Sequence, residues 1–326
     1  MMSRFRSLEI CAGAGGQALG LEQAGFTPVM LVEIDPKACA TLRANRPRWH
    51  VEQMDLTEFV GADHREVLDV DLLAGGLPSG PYTPAAGQLG SADPADLLRH
   101  AIWLTSEIQP RALLLENVPS LLTEEKFEDS RKFVMDELEH MGYAFEWKIL
   151  DAQNFGVHQR RPYSVLVAMR PDDLTHFSWP EPTGGADTVG NVLWRSMGSR
   201  GWEGAAEWRH IANEVAPTII GGSSNRGGAD LGPTGSKNTW ARLGVDGKSL
   251  ADDVPGPDFV LRFEDAPEDR SGLPRLTVDQ VAVLQGIPDD WTIIGRKTAR
   301  FRQIGHALPP AMARELGDSI ATALSR

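Results

Sequence analysis

Short apolar segments alternate with longer segments of helical periodicity through the first half of the chain. The apolar segments predict strands at residues 5–11, 29–34, 70–74, 112–115 and 163–169. The pattern between them predicts helices from a glycine turn to residue 24 and at 36–45, 96–108 and 127–141. Strands separated by helices favour a parallel sheet covered on both faces, so the predicted fold class is α/β.

The pattern changes after about residue 179. Glycine, proline, serine and acidic residues dominate from about 180 to 274, and helical periodicity fades there. Apolar stretches at 215–220 and 259–263 predict two strands, which favours a small, irregular, mostly β domain over a plain linker. Regular helices are predicted again at 277–284 and 310–324.

Composition narrows the class of protein. The chain has 326 residues, enough for one large and one smaller domain, and no apolar run reaches the length of a membrane span. No secretory signal is visible at its N-terminus. It has two cysteines, Cys11 and Cys39, which argues against a disulfide scaffold and a cysteine-rich zinc site and fits a reducing cytoplasm. No metal site is predicted.

The net charge of −13 weighs against a nucleic-acid partner. Phosphate contacts need lysine and arginine, so an acidic chain that binds DNA must concentrate its basic residues on one face. Composition alone therefore favours a small-molecule enzyme.

A glycine-rich turn lies between the first predicted strand and the first predicted helix. Gly13, Gly15 and Gly16 stand where glycines let a cofactor approach the backbone. Glu33 ends the second strand, twenty residues after Gly13, where an acid can bind ribose hydroxyls. Asp55 follows a further short strand, between the helix at 36–45 and the strand at 70–74, where it can hold an adenine amino group. These features alone suit NAD, S-adenosylmethionine or an ordinary tight turn.

Five short segments of the chain resemble known sequence motifs, and they occur in the same order as those motifs. The segments are 8–16 (LEICAGAGG), 75–82 (GGLPSGPY), 116–118 (ENV), 159–161 (QRR) and 302–310 (RQIGHALPP). They resemble, in order, the first motif, the catalytic loop, the Glu-Asn-Val motif, the start of the Gln-x-Arg-x-Arg motif and the closing Gly-Asn-x-Val segment of the DNA cytosine-5 methyltransferases. The order and spacing agree over nearly the whole chain.

The resemblance implies a Rossmann-like S-adenosylmethionine methyltransferase sheet. The catalytic domain would comprise residues 1–180 and 274–326, and a target-recognition domain residues 181–273. The expected cofactor is S-adenosyl-L-methionine, and the expected substrate is double-stranded DNA with a flipped cytosine. A cytoplasmic monomer without a membrane partner is expected.

The resemblance also assigns residues to these ligands. The cofactor is expected to contact Cys11, Ala12, Gly13, Gly15, Gly16, Glu33, Ile34, Asp55, Leu56, Gly76, Pro78, His306 and Ala307. The candidates for contacts to phosphates or base edges are Arg195, Arg200, Arg209, Arg226, Lys237, Arg242 and Lys248.

The sequence departs from the family at the residue on which ring methylation depends. The family adds a cysteine thiolate to carbon 6 of cytosine, while the glutamate of Glu-Asn-Val assists at the ring nitrogen. Ser79 stands at the cysteine position here, and a hydroxyl is a much weaker nucleophile than a thiolate. Cys11 lies in the cofactor turn and Cys39 in a predicted helix, so neither substitutes for it.

Three more positions differ from the family. Gly80 replaces a glutamine, Tyr163 the second arginine of Gln-x-Arg-x-Arg, and His306 the asparagine of the closing segment. Several changes in one pocket suggest a remodelled pocket or a decayed one.

One remodelling fits known chemistry. Residues 79–82 resemble the Ser-Pro-Pro-Tyr loop of amino-methyltransferases, which methylate an exocyclic nitrogen without a covalent adduct. In this hypothesis Ser79 and Glu116 accept the amino protons, Tyr82 stacks on the extruded base, and N4-methylcytosine is the favoured product. The predicted catalytic residues are Ser79, Pro81, Tyr82, Glu116, Arg161 and Tyr163.

Three alternatives stay open at this point. The first is a cytosine-5 enzyme whose nucleophile was mutated to Ser79. The second is a non-catalytic DNA-binding subunit. The third is a small-molecule enzyme on the same fold, which the acidic composition favours.

Overall fold

The computed structural model describes residues 5–83, 89–93, 96–222, 228–264, 268 and 270–326. The strands are β1 (Phe5–Ile10), β2 (Phe26–Glu33), β3 (Val51–Gln53), β4 (Leu72–Gly76), β5 (Ala112–Asn117), β6 (Ala144–Asp151) and β7 (Pro162–Met169). The helices are α1 (Gly16–Gln23), α2 (Pro36–Asn45), α3 (Leu98–Ile108), α4 (Pro119–Thr123), α5 (Glu128–His140), α6 (Pro171–Leu174), α7 (Val189–Met197), α8 (Ala205–Ile211), α9 (Thr234–Arg242), α10 (Val278–Leu284), α11 (Lys297–His306) and α12 (Pro310–Leu324).

The strands form one sheet in the order β3-β2-β1-β4-β5-β7-β6. The first five are parallel, whereas β7 pairs antiparallel with β5, and β6 pairs antiparallel with β7. Parallel strands end at the same edge, so the segments that follow β1, β2, β4 and β5 meet there. This confirms the predicted α/β fold, in which this edge is the usual place for a ligand.

Both faces of the sheet are buried, which explains why its central strands are continuous apolar runs. Leu8 and Ile10 of β1 join a large apolar cluster with Leu73 and Leu115. On β2, Leu31 belongs to a smaller cluster with residues of α1 and α2. Truncating a leucine buried in this way costs about 2–5 kcal/mol of stability.

Helix α12 packs closely on α1, and two glycines make this possible. A Cβ on Gly20 would lie 2.5 Å from the Cβ of Ala313, and a Cβ on Gly317 would lie 2.7 Å from that of Ala24. Real side chains do not approach so closely, so both positions require glycine. Through this contact the last helix, α12, packs against the first helix, α1.

The chain divides into two compact units. The first comprises Met1–Asp151, Pro162–Glu181 and Pro310–Arg326, and the second comprises Ala152–Arg161 and Pro182–Pro309. Residues 274–309, which the sequence analysis assigned to the catalytic domain, pack within the second unit. The assignment of functional domains stays a prediction. No helix in the described ranges is long and apolar enough to cross a membrane.

The two strands predicted within 181–273 were wrong, and so was the mostly β character. In the described part of this segment the regular elements are α7, α8 and α9. Residues 215–220 make a single bridge, between Ala216 and Gln159, and beyond it the Thr218 hydroxyl, not a backbone amide, donates to the Arg160 carbonyl. Residues 259–263 have no neighbouring strand, and Val260 is 66% exposed. Strand β6, which the sequence analysis did not predict, is a half-exposed edge strand.

Candidate active site

The carboxyl edge of the sheet gathers the ends of four strands. Ile10, the last residue of β1, is in register with Val32 of β2 and with Gly75 of β4. Gly76, the last residue of β4, is in register with Glu116 of β5. The glycine turn, Glu33, Glu116 and the loop that follows β4 therefore belong to one edge of the sheet.

The turn after β1 has an unusual backbone. Cys11, Gly13 and Gly15 all have positive φ, at 50°, 55° and 84°. This conformation is open to glycine but costs a residue such as cysteine on the order of 1–3 kcal/mol. The turn is held by hydrogen bonds from the Ala12 amide to the Val32 carbonyl (3.1 Å) and from the Gly15 amide to the Ala12 carbonyl (3.0 Å). Gly16 then begins α1.

Glu33 ends β2 and fixes the turn from the side. The carboxylate accepts hydrogen bonds from the backbone amides of Gly13 and Asp35, both at 2.7 Å. Its residue is only 8% exposed, and burial raises the pKa of this carboxyl while the two amide bonds oppose the rise. Each oxygen keeps a second lone pair, which suits a ribose hydroxyl.

Two more expected cofactor residues lie beside Glu33. Ile34 follows it directly and is 60% exposed, an apolar side chain of the kind that packs on an adenine ring. Asp55 accepts bonds from the amide (2.9 Å) and hydroxyl (2.8 Å) of Thr57, which hold the pKa of its carboxyl below the usual range. Leu56 is buried beneath it.

These residues fit S-adenosyl-L-methionine. The nearest heavy atom to a Cβ placed on Gly13 is the Cys11 carbonyl oxygen at 4.0 Å, so the turn has space on that side. Two carboxylates offer acceptors for ribose and adenine groups, and an exposed aliphatic side chain stands next to them. Such a set suits a nucleoside, and Gly13, Gly15, Glu33 and Ile34 would hold it.

At the end of β4 a glycine makes room for the acid of β5. A Cβ on Gly76 would lie 2.6 Å from Oε1 of Glu116, so no other residue fits without moving that carboxylate. Glu116 is 8% exposed. The next residue, Asn117, accepts a bond from the Val118 amide through Oδ1 (2.8 Å), and its Nδ2 has no partner among the described residues.

The loop after β4 carries the residues expected to do the chemistry. Pro78 is exposed, Ser79 is half-buried, and Ser79 begins a short 3₁₀ turn over Gly80–Tyr82. The Ser79 carbonyl accepts the Tyr82 amide at 3.0 Å, but the hydroxyl makes no capping bond to the turn. The hydroxyl is therefore not committed to holding the turn together, unlike that of a capping serine.

Tyr82 is a core residue, and the prediction that it stacks on a base was wrong. The residue is 0% exposed, and its ring packs edge-on against Phe127 with centroids 5.0 Å apart. Its hydroxyl donates to Oδ1 of Asp96 at 2.9 Å. Burial and this carboxylate raise the pKa of the Tyr82 phenol. Pro81 is also buried, since this part of the loop turns into the apolar cluster.

Arg161 and Tyr163 are close in sequence but fall in different units. Tyr163 lies in β7 opposite Leu150 and is 3% exposed, which is the environment of a core residue. Arg161 belongs to the second unit, where it donates to the Ile219 carbonyl at 3.0 Å. Their catalytic roles stay predictions.

His306 and Ala307 also belong to the second unit. Nε2 of His306 lies 2.9 Å from the Gly222 carbonyl oxygen. The residue is partly exposed, yet the loss of water around the imidazole lowers its pKa. The hydrogen bond to Gly222 opposes this lowering of the pKa, and the guanidinium groups of Arg161 and Arg302 add to it. Their roles at the cofactor stay predictions.

A pair of buried glutamines in the second unit escaped the sequence analysis. Gln159 donates through Nε2 to the side chain of Gln285 and accepts the Ile219 amide at 2.5 Å. Gln285 donates in turn to the Ala307 carbonyl at 2.6 Å. Gln159 began a matched motif, but Gln285 gave no local signal beyond a polar residue after an apolar helix. The pair joins segments far apart in sequence.

Neither cysteine provides a thiolate. Burial raises the pKa of the Cys11 thiol, and the carboxylates of Glu33, Asp55 and Glu116 raise it further. Burial raises the pKa of Cys39 to about 11. At neutral pH both stay protonated, and a thiol is a poor nucleophile. In the described residues no cluster of histidine, cysteine or acidic side chains suits a metal ion.

The sheet order, the glycine turn and the acids suit a nucleoside cofactor, and comparison with known proteins gives the class of enzyme. The family model for C-5 cytosine-specific DNA methylases matches residues 5–322. The type II methyltransferase M.NaeI of Lentzea aerocolonigenes is 47% identical over 99% of this chain and 76% of its own length. M.NgoMIV of Neisseria gonorrhoeae is 42% identical over 99% of both chains.

Solved structures agree at the level of the fold. The Entamoeba histolytica methyltransferase EhMeth superposes with a TM-score of 0.68 at 13% identity, covering 99% of each chain. The S. pombe Dnmt2 methyltransferase superposes with a TM-score of 0.61 at 18% identity, again over 99% of each chain.

The chain belongs to the C-5 cytosine-specific DNA methylase family. It is a DNA cytosine methyltransferase that uses S-adenosyl-L-methionine, as the motifs predicted. The alternative of a small-molecule enzyme, which rested on the net charge of −13, was wrong. Total charge does not report the charge of one binding face.

Proposed function

We propose that this protein methylates the N4 atom of cytosine in double-stranded DNA by direct transfer, without a covalent adduct. The observation that carries the proposal is the lack of a cysteine in the loop after β4: Ser79 stands at the expected nucleophile position, Cys11 lies in the turn after β1, and Cys39 is buried in α2. Methylation of carbon 5 requires a nucleophile to add to carbon 6 of the ring. Methylation of the exocyclic nitrogen requires no such addition.

The residues at the sheet edge support this chemistry. Bound S-adenosyl-L-methionine supplies an electrophilic methyl group on a sulfonium sulfur. The amino nitrogen of cytosine would form a bond to that methyl group and lose one proton, while the bond from the methyl carbon to sulfur breaks and S-adenosylhomocysteine leaves as a neutral thioether. The Glu116 carboxylate accepts that proton or holds it until it passes to water, and the Ser79 hydroxyl accepts a hydrogen bond from the second amino proton.

The proposal requires the cytosine to leave the helix. A base paired within a duplex cannot reach a carboxylate that is 8% exposed at the edge of a sheet. Extrusion costs a few kcal/mol, which contacts to the flipped base and to the DNA backbone offset. M.NaeI and M.NgoMIV are type II methyltransferases, and we propose by this relation that the chain acts, as a monomer, at a specific site within a restriction-modification system.

The test is mass spectrometry of nucleosides from DNA incubated with the protein and S-adenosyl-L-methionine. N4-methylcytosine is the expected product, and Glu116→Gln is expected to reduce its rate of formation about 100-fold by removing the proton acceptor. 5-Methylcytosine would overturn the proposal, because it would require ring attack without a thiolate.

A second function is favoured by one observation, the burial of Tyr82. With its ring enclosed against Phe127, the loop lacks the aromatic surface that amino-methyltransferases place on the flipped base. This points to a protein that binds DNA and cofactor without turnover. Binding of both ligands with no modified nucleoside would support it, and recovery of 5-methylcytosine by Ser79→Cys would instead identify a cytosine-5 site that lost its nucleophile.

A further inference from the structure

The basic side chains of residues 182–273 differ in what they contact. Arg200 is paired with Asp253 at 3.0 Å, and Lys237 with Asp230 at 3.3 Å. These charges are neutralised locally, so they offer little to a phosphate. Arg226, one of the expected DNA contacts, lies outside the described residues.

Arg195 and Arg209 are arranged differently, on a shared tryptophan. Each guanidinium carbon lies 5.4 Å from the ring centroid of Trp194. A guanidinium above an indole is held by the cation–π attraction, which leaves its N–H groups available at the edges. Arg195 is exposed and makes no ion pair with a described residue.

The helices that carry the two arginines are firmly joined. The Gly190 amide of α7 donates to the Ala212 carbonyl at 2.7 Å, and the Val189 amide donates to the Glu214 carbonyl at 2.9 Å. The next residue to Arg209, Trp208, is 0% exposed and donates to the Gly244 carbonyl at 2.8 Å. Such a support holds the two guanidinium groups in place before any ligand arrives.

Nearby acids limit where an anion can sit. Arg209 donates to Oδ1 of Asn191 at 2.8 Å, and Asn191 in turn donates to Asp187 at 2.7 Å, so one carboxylate lies within this network. A cavity of about 300 Å³ beside Trp194 is also lined by Glu203. The solvent side of the guanidinium groups, rather than the cavity, is therefore the place for an anion.

We propose that Arg195 and Arg209, presented on Trp194, form a contact for the phosphodiester backbone of the DNA substrate. The chain carries a net charge of −13, so its total charge does not attract DNA, and binding depends on local contacts of this kind. The inference rests on the family's DNA substrate and not on which cytosine atom is methylated.

The test is the salt dependence of binding to a fluorescent DNA duplex, measured by anisotropy for the full chain. Each neutralised phosphate contributes about 0.9 to the slope of log K against log salt. Arg195→Ala and Arg209→Ala are each expected to lower the magnitude of the slope by about 0.9, and the double variant by about twice that. Arg195→Lys keeps the charge and is expected to keep the slope.

Arg200→Ala is the matched control, since it removes an exposed arginine from the same segment that is already paired with Asp253. Its slope is expected to equal that of the unmodified protein. An unchanged slope in Arg195→Ala, whose exposed side chain can be lost without disturbing the fold, would overturn the proposal. So would an equal loss in Arg200→Ala, which would indicate a general effect of charge. Product analysis is separate, so failure here leaves the N4 proposal standing.

Discussion

The glycine turn at residues 11–16 and the loop at residues 78–82 follow adjacent parallel strands, yet they differ in what holds them in place. The turn keeps its left-handed glycines and its contact to Glu33. The loop has Ser79, where the resemblance predicts a cysteine, and its Tyr82 is buried in the core. The shape of the turn depends on backbone conformations that glycine adopts at little cost, whereas the chemistry of the loop depends on single side chains.

The largest expected effect concerns the strand that leads into the turn. Glu9 of β1 is 2% exposed, accepts the Ser7 hydroxyl at 3.3 Å, and burial raises its pKa to about 8. The folded protein therefore binds a proton that the unfolded chain releases above pH 4.5, and stability falls as pH rises between about 5 and 8.

Glu9→Gln removes this titration with little change in shape. The free energy of unfolding at pH 8 is expected to rise by on the order of 4 kcal/mol, with no gain at pH 4.5. Urea denaturation across this pH range measures it, and the control is Glu22→Gln, which changes a half-exposed acid paired with Arg46. A parallel pH profile for Glu9→Gln and the unmodified protein would show that the buried acid does not titrate in this range.

The second prediction separates the turn from the loop through the cofactor. Glu33→Ala removes the two amide bonds at 2.7 Å and the acceptor for ribose. Charge-assisted bonds contribute about 1.5–3 kcal/mol each, so the Kd for S-adenosyl-L-methionine is expected to rise about 100-fold. Calorimetry measures this, and Glu22→Ala, which removes only a surface partner of Arg46, is the control. A change below about 3-fold would place the cofactor elsewhere.

The third prediction asks whether Tyr82 acts as core or as catalyst. Tyr82→Phe removes the bond to Asp96 and is expected to reduce the free energy of unfolding by about 1–2 kcal/mol. Tyr143→Phe is matched to it, because that hydroxyl donates to the Pro110 carbonyl at 2.5 Å within the same cluster. Both variants are expected to lose similar stability in urea. A loss of methylation in Tyr82→Phe that Tyr143→Phe does not show would indicate that the Tyr82 hydroxyl has a role in the reaction.

The smallest expected effect belongs to the residue that defines the loop. Ser79→Ala is expected to leave the Kd of the cofactor unchanged, because the hydroxyl makes no bond to its turn. N4-methylation is expected to slow about 5-fold, the loss of one hydrogen bond of about 1 kcal/mol. Calorimetry measures the Kd of the cofactor, and mass spectrometry of nucleosides measures the rate of N4-methylation. A large rise in the Kd for S-adenosyl-L-methionine would mean that the Ser79 side chain contributes to cofactor binding and that the turn and the loop are not independent.

The sequence predicted most of what lies at the sheet edge. The strands around Ile10, Glu33 and Glu116 appear close to the predicted bounds, because buried parallel strands are apolar runs that a local window detects. Helix α12 matches its predicted bounds of 310–324. Family motifs then placed the glycine turn correctly relative to the acids, because each motif carries its own local geometry.

What the local pattern did not decide were contacts between distant segments. Residues 215–220 had the composition of a strand but found one bridge and no sheet, since a strand exists only with a neighbour. Gln159 and Gln285 form their pair across 126 positions of sequence, which no local window detects.

By itself, the sequence determined the α/β class and the membership of the DNA cytosine methyltransferase family, because both are written in residue types and short spacings. Only the tertiary structure decided that Tyr82 faces Phe127 instead of a ligand and that Arg195 and Arg209 share Trp194. The burial and the partners of a side chain depend on which segments the fold brings together. Those segments are set by the free energy of folding of the whole chain, not by the local sequence.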